Sequence, residues 1–330
     1  MQKGADGPVV IGQAAVPTPV DLEREGVGRP EVAAALSQAL EAAGVPEGAA
    51  DLVTAIGGGK VITRGIVMPP MPAKELESAL RWEAERHIPL PVDDLIIRHV
   101  DLGEAEDDRA GSRRLLLVAV PRTVVENHLV PFREAGRALR AIDMYALALW
   151  RVFCGLDPEA APPGTVAVLD IGAVHTELVV VSGGRFRYAR SLPHGGEALT
   201  EALARTQGLD LAAARRIKEG ESALPPSEAA AAAADPDRMF PFQVGLTELV
   251  RDVRRSLDWY RAQHRADPVT RIILSGGGSK PDGLAGYLAA QLGLPVELGK
   301  PEILKAPGGK AAIDPAFTVA LGLALREVLE

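Results

Sequence analysis

The chain has one cysteine, Cys154, in 330 residues, so it can form no internal disulfide and no thiolate metal cluster. That scarcity fits a reducing cytosolic setting. It has no apolar run near the roughly 20 residues that a membrane-crossing helix needs. Its opening, MQKGADGPVV, lacks the apolar core of a signal peptide. A soluble, cytoplasmic protein is expected, with any membrane association made through a partner. A basic excess is also missing. Lys and Arg total 36 against 44 Asp and Glu, for a formal charge of -8, so nucleic-acid binding is not expected. His87, His99, His128, His175, His194 and His264 show no metal-ligand spacing, and no Ser/His/Asp set accompanies them. A zinc site and a hydrolytic triad are both disfavoured.

What is present is an ordinary apolar fraction, 47%, in a chain longer than one core usually spans, so two lobes are expected. GPVVIGQAAVPTPVD reads as a short strand stopped by prolines, and RPEVAAALSQALEAAGVP as a helix with Pro30 in its first turn and Gly44 after its end. DLVTAIGGGKVITRGIVMP reads as two strands around a glycine-rich turn, with a hairpin loop favoured there. In MPAKELESALRWEAERHIPLP, Leu76, Ala79, Leu80 and Glu83 share a helical stripe that Pro89 closes. LIIRHVDLGE and SRRLLLVAVP suggest an antiparallel pair. Two helical segments around the strand RAIDM complete the first half.

The pattern restarts at Thr165 with a hairpin, a strand RFRYARSLP and a helix from Gly196. The low-complexity PPSEAAAAAADPD reads as an exposed connection. A long helix follows, with Leu246, Leu249, Val250, Val253, Leu257 and Tyr260 at helical spacing. TRIILSGGG, KPDGLAGYLAAQLG, PVEL and AFTVALGLALREVL then alternate strand and helix, an α/β pattern.

Two turns could carry chemistry. In LDIGAVHTE, Asp170 leaves an apolar strand, Gly172 permits a sharp bend, and backbone N–H groups from Gly172 to Thr176 could face phosphate oxygens. A carboxylate there suits Mg²⁺ held through water. The alternative is a hairpin turn in which Asp serves local hydrogen bonding. In IILSGGGSKPDGL, three glycines could bring backbone flat against a nucleobase or phosphate ahead of a helix, or form a plain connection. No Gly-Lys-Ser/Thr follows, so this is not a Walker loop.

Together, LDIGAVHT and ILSGGGS resemble the second phosphate motif and the adenosine motif of the actin-like ATPase superfamily, and DPAFTVALGLALRE resembles its final helix. Within it, ITRGIVMPPMPAKELESALRWEAERHIPLPVDDL, EAGRALRAIDMYALALWR and LVRDVRRSLDWY are similar to segments of the PilM family of type IV pilus assembly. The resemblance implies an α/β, two-lobed, FtsA-like fold with ribonuclease-H-like lobes. The first lobe would span 1–164 with an inserted subdomain at about 52–120. The second would span 165–330 with a small subdomain at about 197–245 and a final helix at 315–329.

The resemblance also implies ATP and Mg as cofactors. Asp170, Gly172, Ala173, His175 and Thr176 would face phosphates and Mg at a cleft between lobes. Gly276, Gly277, Gly278 and Ser279 would line adenosine, and Lys218 of AARRIKEG would reach the ribose. Arg215 stands where that helix usually has an acid, and Val174 and His175 replace smaller residues. The first phosphate hairpin, expected ahead of Val9, is absent: the chain either begins late or has lost half of the clamp, so at most weak ATPase activity is implied.

The implied role is a cytoplasmic adaptor at the inner membrane that binds the N-terminal tail of a PilN-like membrane protein. Its groove would be walled near Val53–Arg64 and Ala73–His87. Other platform proteins and the assembly ATPase are further implied partners. The alternatives are an actin-fold phosphotransferase, which would need a cleft carboxylate facing a small substrate, and an FtsA-like filament protein, which would need a membrane-targeting tail.

Overall fold

The structure, a computed structural model, describes residues 2–4, 7–18, 30–46, 48, 52–105, 111–155, 164–220, 236–281, 283–299 and 313–329. The alanine-rich connection lies outside the described residues as far as Asp235. The described residues form two compact units. One holds those up to Ile56 and Lys60–Met144; the other holds Gly57–Gly59 and those from Tyr145 onward.

In the first unit, β1 (Gln2–Gly4) and β2 (Gly7–Val9) form a short antiparallel pair, and α1 (Pro30–Ala42) follows. β3 (Leu52–Ile56) pairs in parallel with β7 (Leu139–Met144). Between them lies an antiparallel sheet of β4 (Ile62–Met68), β5 (Leu95–Glu104) and β6 (Arg113–Pro121), with β6 in the middle. α2 (Ala73–His87) covers that sheet, and α3 (Arg122–Glu134) packs against α1. Strand period and helix period meet in this core. Leu115, Leu117 and Ala119 alternate inward from β6, while Leu76, Leu80 and Ala84 recur every fourth residue of α2. Glu83 stands at the edge of that stripe and pairs with Arg86 and His87.

The hairpin expected around Gly57–Gly59 does not form. Its two flanking strands join different sheets, β3 with β7 and β4 with β6. The physical reason is that the glycines are held by neighbours outside both strands. A Cβ on Gly57 would lie 2.6 Å from the Tyr145 ring, and Gly58 (φ +68°) rests against His175.

The second unit is built on a five-stranded sheet ordered β10-β9-β8-β11-β12. Its strands are β8 (Thr165–Ile171), β9 (Thr176–Ser182), β10 (Arg185–Leu192), β11 (Val269–Ser275) and β12 (Val296–Leu298). β9 runs antiparallel to both of its neighbours, β8 and β10, whereas β8, β11 and β12 run parallel. Every residue of β8 is buried, as a central strand covered on both faces requires.

On one face, Ala167, Leu169, Ile171, Leu178 and Val180 join a core with α5 (Gly196–Gln207), α7 (Pro236–Gln263) and α8 (Leu284–Leu292). α7 contributes the expected stripe: Leu246, Leu249, Val250, Val253 and Tyr260 are buried, with Leu257 packed beside them. α6 (Leu211–Gly220) lies against α5. α4 (Tyr145–Trp150) packs on β9 and against α9 (Thr318–Leu329). A Cβ on Gly322 would stand 2.1 Å from the Ala148 carbonyl oxygen, so glycine alone permits that helix contact.

Candidate functional site

The hairpin register builds the first part of the site. β8 and β9 pair from Thr165↔Ser182 to Ile171↔Thr176, which leaves Gly172–His175 as the turn. Asp170 then stands opposite Glu177 on β9 and opposite Ser275 on β11. Directly opposed residues project from the same face of a sheet, so Ser275, Asp170 and Glu177 form a row at the carboxyl end of β8. Asp170 is only 7% exposed. Burial pushes its carboxyl pKa up to about 6; the Ser275 hydroxyl opposes the shift and the Glu177 charge adds to it.

Asp170 Oδ1 and Ser275 Oγ are both buried with no hydrogen-bond partner of normal geometry among the described residues. The serine is near enough to lower the aspartate's pKa without closing such a bond. Glu177, also buried, accepts a hydrogen bond at Oε1 from the Gly58 N–H at 3.0 Å. Glu177 is not singled out by the sequence; counting back across a four-residue turn would have placed it opposite Asp170.

The turn itself is tied to α5. The Gly172 N–H donates to the His175 carbonyl at 2.9 Å, so it closes the turn instead of facing outward. The Gly172 and Ala173 carbonyls accept from the N–H groups of Gly196 (2.8 Å) and Glu197 (2.7 Å). The first donors of α5, which have no partner within the helix, are thereby satisfied. Thr176 is fully buried and donates to the His194 carbonyl at 2.6 Å, whereas Ala173 and Val174 are exposed.

The glycine triplet presses on the end of β8. A Cβ on Gly276 (φ +81°) would lie 2.4 Å from the Ile171 carbonyl oxygen, and one on Gly278 would lie 2.5 Å from Ile171 Cγ2. Gly277 is exposed, and a Cβ there would meet Ala316 Cβ at an ordinary 3.7 Å. Two of the three glycines are therefore required by packing, and Gly277 presents the open face. Ser279 donates from Oγ to the Gly276 carbonyl at 2.7 Å.

Lys218 is buried, and its Nζ donates to the Gly196 carbonyl (3.1 Å) and to Thr200 Oγ1 (2.9 Å). Gly196 is the junction: a Cβ there would stand 3.5 Å from Lys218 Nζ, 3.5 Å from Gly278 Cα and 3.6 Å from the Gly172 carbonyl oxygen. A Cβ on Gly195 would collide with the Ala173 carbonyl oxygen at 2.5 Å. The sequence signal for this pair is the double glycine of LPHGGEAL ahead of a helix. Arg215 donates to Glu197 Oε1 at 2.7 Å. The turn 170–176, the triplet 276–279 and Lys218 thus meet within one unit.

Among the described residues, no three His, Cys, Asp or Glu side chains are grouped to hold a metal ion directly. A hydrated divalent cation asks less, because one carboxylate oxygen can hold it through water. The unpartnered, buried Oδ1 of Asp170 meets that requirement, so the residues fit Mg²⁺ in that form.

The sheet order and its paired turns define a mixed α/β protein. The chain belongs to the family described as type IV pilus assembly protein PilM, whose family model matches residues 9–328. A solved structure of the PilM-PilN type IV pilus biogenesis complex is similar at TM-score 0.82 and 32% identity, covering 96% of this chain and 91% of that one. The ethanolamine utilization protein EutJ of Carboxydothermus hydrogenoformans overlaps at TM-score 0.44 and 19% identity, over 62% of this chain and 61% of that one. MreB5 of Spiroplasma citri bound to AMPPNP overlaps at TM-score 0.46 and 16% identity, over 63% and 65%. No helix among the described residues is long and apolar enough to cross a membrane.

Proposed function

We propose that this type IV pilus assembly protein is a cytoplasmic adaptor that binds the N-terminal tail of a PilN-like membrane protein and is held at the inner membrane by that contact. The observation that carries the reading is its similarity to the PilM-PilN complex across nearly the whole of both chains. An extended peptide docking on a sheet edge or in an adjoining groove is a common recognition mode. Strand residues near Val53–Arg64 and the helix Ala73–His87 are the proposed walls. Further platform proteins and the assembly ATPase belong to the same proposal, as does the division into lobes 1–164, with its subdomain at 52–120, and 165–330, with its subdomain at 197–245.

The site around Asp170 supports a second element of this reading, binding of Mg-ATP. Asp170 would hold the hydrated Mg²⁺, which supplies charge neutralisation at the phosphates. Ala173 and His175 would line the phosphate side, with Gly172 shaping the turn and the buried Thr176 anchoring it to the His194 carbonyl. Gly276, Gly277, Gly278 and Ser279 would line the adenosine side, and Lys218 would brace the Gly196 junction.

Calorimetric titration with a synthetic peptide of the partner's tail tests the adaptor role, with and without Mg-ATP. Saturable one-to-one binding is expected, with an affinity that changes when Mg-ATP is present. Folded protein with no heat of binding in either condition would overturn the adaptor reading. Equal affinity in both would remove the link to nucleotide.

A further inference from the structure

The segment Gly57–Gly59 joins β3 to β4 in the chain, yet it groups with the second unit. Three contacts pin it there. Gly57 lies so close to the Tyr145 ring that any side chain would collide, and Gly58 adopts φ +68° with its Cβ position 3.2 Å from His175 Nδ1. The Gly58 N–H donates to Glu177 Oε1 at 3.0 Å. That acceptor is no ordinary surface carboxylate. It is buried, and it stands beside Asp170, whose Oδ1 has no hydrogen-bond partner of normal geometry among the described residues. Two adjacent buried carboxylates attract a cation, and a cation competes with an N–H group for carboxylate charge.

We propose that Gly57–Gly59 is a latch on the Asp170–Glu177 carboxylate pair, closed by the Gly58–Glu177 hydrogen bond and loosened when a divalent cation is drawn to the pair. The inference rests on the Mg²⁺ fit of the Asp170 site, and gives that site a regulatory output. Because the latch is continuous with β3 on one side and β4 on the other, a change at Gly58 reaches the ends of both strands through the chain itself. Glycine is required at all three positions, for room at Gly57 and for left-handed backbone at Gly58 and at Gly59, whose φ is +77°.

The test is amide hydrogen exchange across residues 56–60 of the full chain, with Mg²⁺ alone and with Mg-ATP as probes. A hydrogen bond to a charged acceptor is strong enough that its loss should speed Gly58 exchange about tenfold or more. Glu177→Ala should show that acceleration without any ligand, while Glu177→Gln, which keeps an acceptor oxygen, should show less. In the wild type, Mg²⁺ should accelerate the same amide, and Asp170→Asn should abolish the response.

Unchanged Gly58 exchange in folded Glu177→Ala would overturn the latch, and an unresponsive wild type at saturating Mg²⁺ and Mg-ATP would overturn its coupling to a cation. Circular dichroism of each variant separates these results from unfolding. The peptide titration remains an independent readout. Tail binding with a silent latch defeats this inference alone, and a responsive latch without tail binding defeats the adaptor reading alone.

Discussion

An ionised Asp170 is a buried charge beside a second buried carboxylate, and its cost to the fold has a definite pH signature. Its pKa stands at about 6 in the folded protein against an ordinary 3.8. The raised value means that the ionised form is disfavoured by folding. The penalty is fully present above pH 6 and is relieved as pH falls through 6 toward 4, where the folded protein takes up its proton first. Asp170→Asn should therefore be more stable than the wild type at pH 8, by roughly 2 to 3 kcal/mol for a shift of this size. The difference should shrink through pH 6 and vanish near pH 4. Urea unfolding at several pH values checks this. Mg²⁺ should narrow the same gap at pH 8 by stabilising the wild type and not the variant. Asp170 was legible in the sequence because a lone carboxylate interrupts an apolar strand. Glu177 was not, because its meaning comes from pairing across the hairpin.

At the scale of elements, the glycine triplet divides by contact. Gly276 has φ +81° and ψ 162°, a region nearly reserved for glycine, and its Cβ would strike the Ile171 carbonyl. Gly276→Ala should cost about 2 kcal/mol or more. Gly277→Ala should stay within about 1 kcal/mol, because nothing lies within 3.7 Å of its Cβ position. Thermal unfolding of the two variants decides between packing and mere chain flexibility as the reason for the glycines. Helix α2 gives a parallel contrast. Leu80 is 5% exposed in the core and Trp82 is 56% exposed under the Arg86 guanidinium. Leu80→Ala should cost about 2 to 4 kcal/mol, whereas Trp82→Ala should change stability by about 0.5 kcal/mol or less. A large loss from Trp82→Ala would mean that the outer face of the helix is covered in solution.

For the whole molecule, the proposed adaptor role predicts where the protein goes when a membrane is offered. Its acidic charge gives it no attraction to an anionic lipid surface, and no described helix can cross one. In a flotation assay it should remain unbound to vesicles of phosphatidylglycerol and phosphatidylethanolamine. It should float with the same vesicles once they display the tethered tail peptide. Flotation with bare vesicles would show direct lipid binding and would remove the need for a partner at the membrane.

Periodicity alone determined most of the elements: the amphipathic stripes of α2 and α7, the buried run of β8 and the alternation of strand and helix after residue 240. These are local consequences of which residues can share a face, so they are written along the chain. The turn at 170–176 and the triplet at 276–279 were likewise visible, because glycine and a lone carboxylate interrupt apolar strands. What only the tertiary structure decided was pairing. Sheet order parted the two strands flanking Gly57–Gly59 and turned an apparent hairpin into a latch. Register placed Glu177 and Ser275 beside Asp170, and close packing made Gly195 and Gly196 the junction of the site. Each of these depends on residues distant in sequence approaching within a few ångströms, which local preference does not encode.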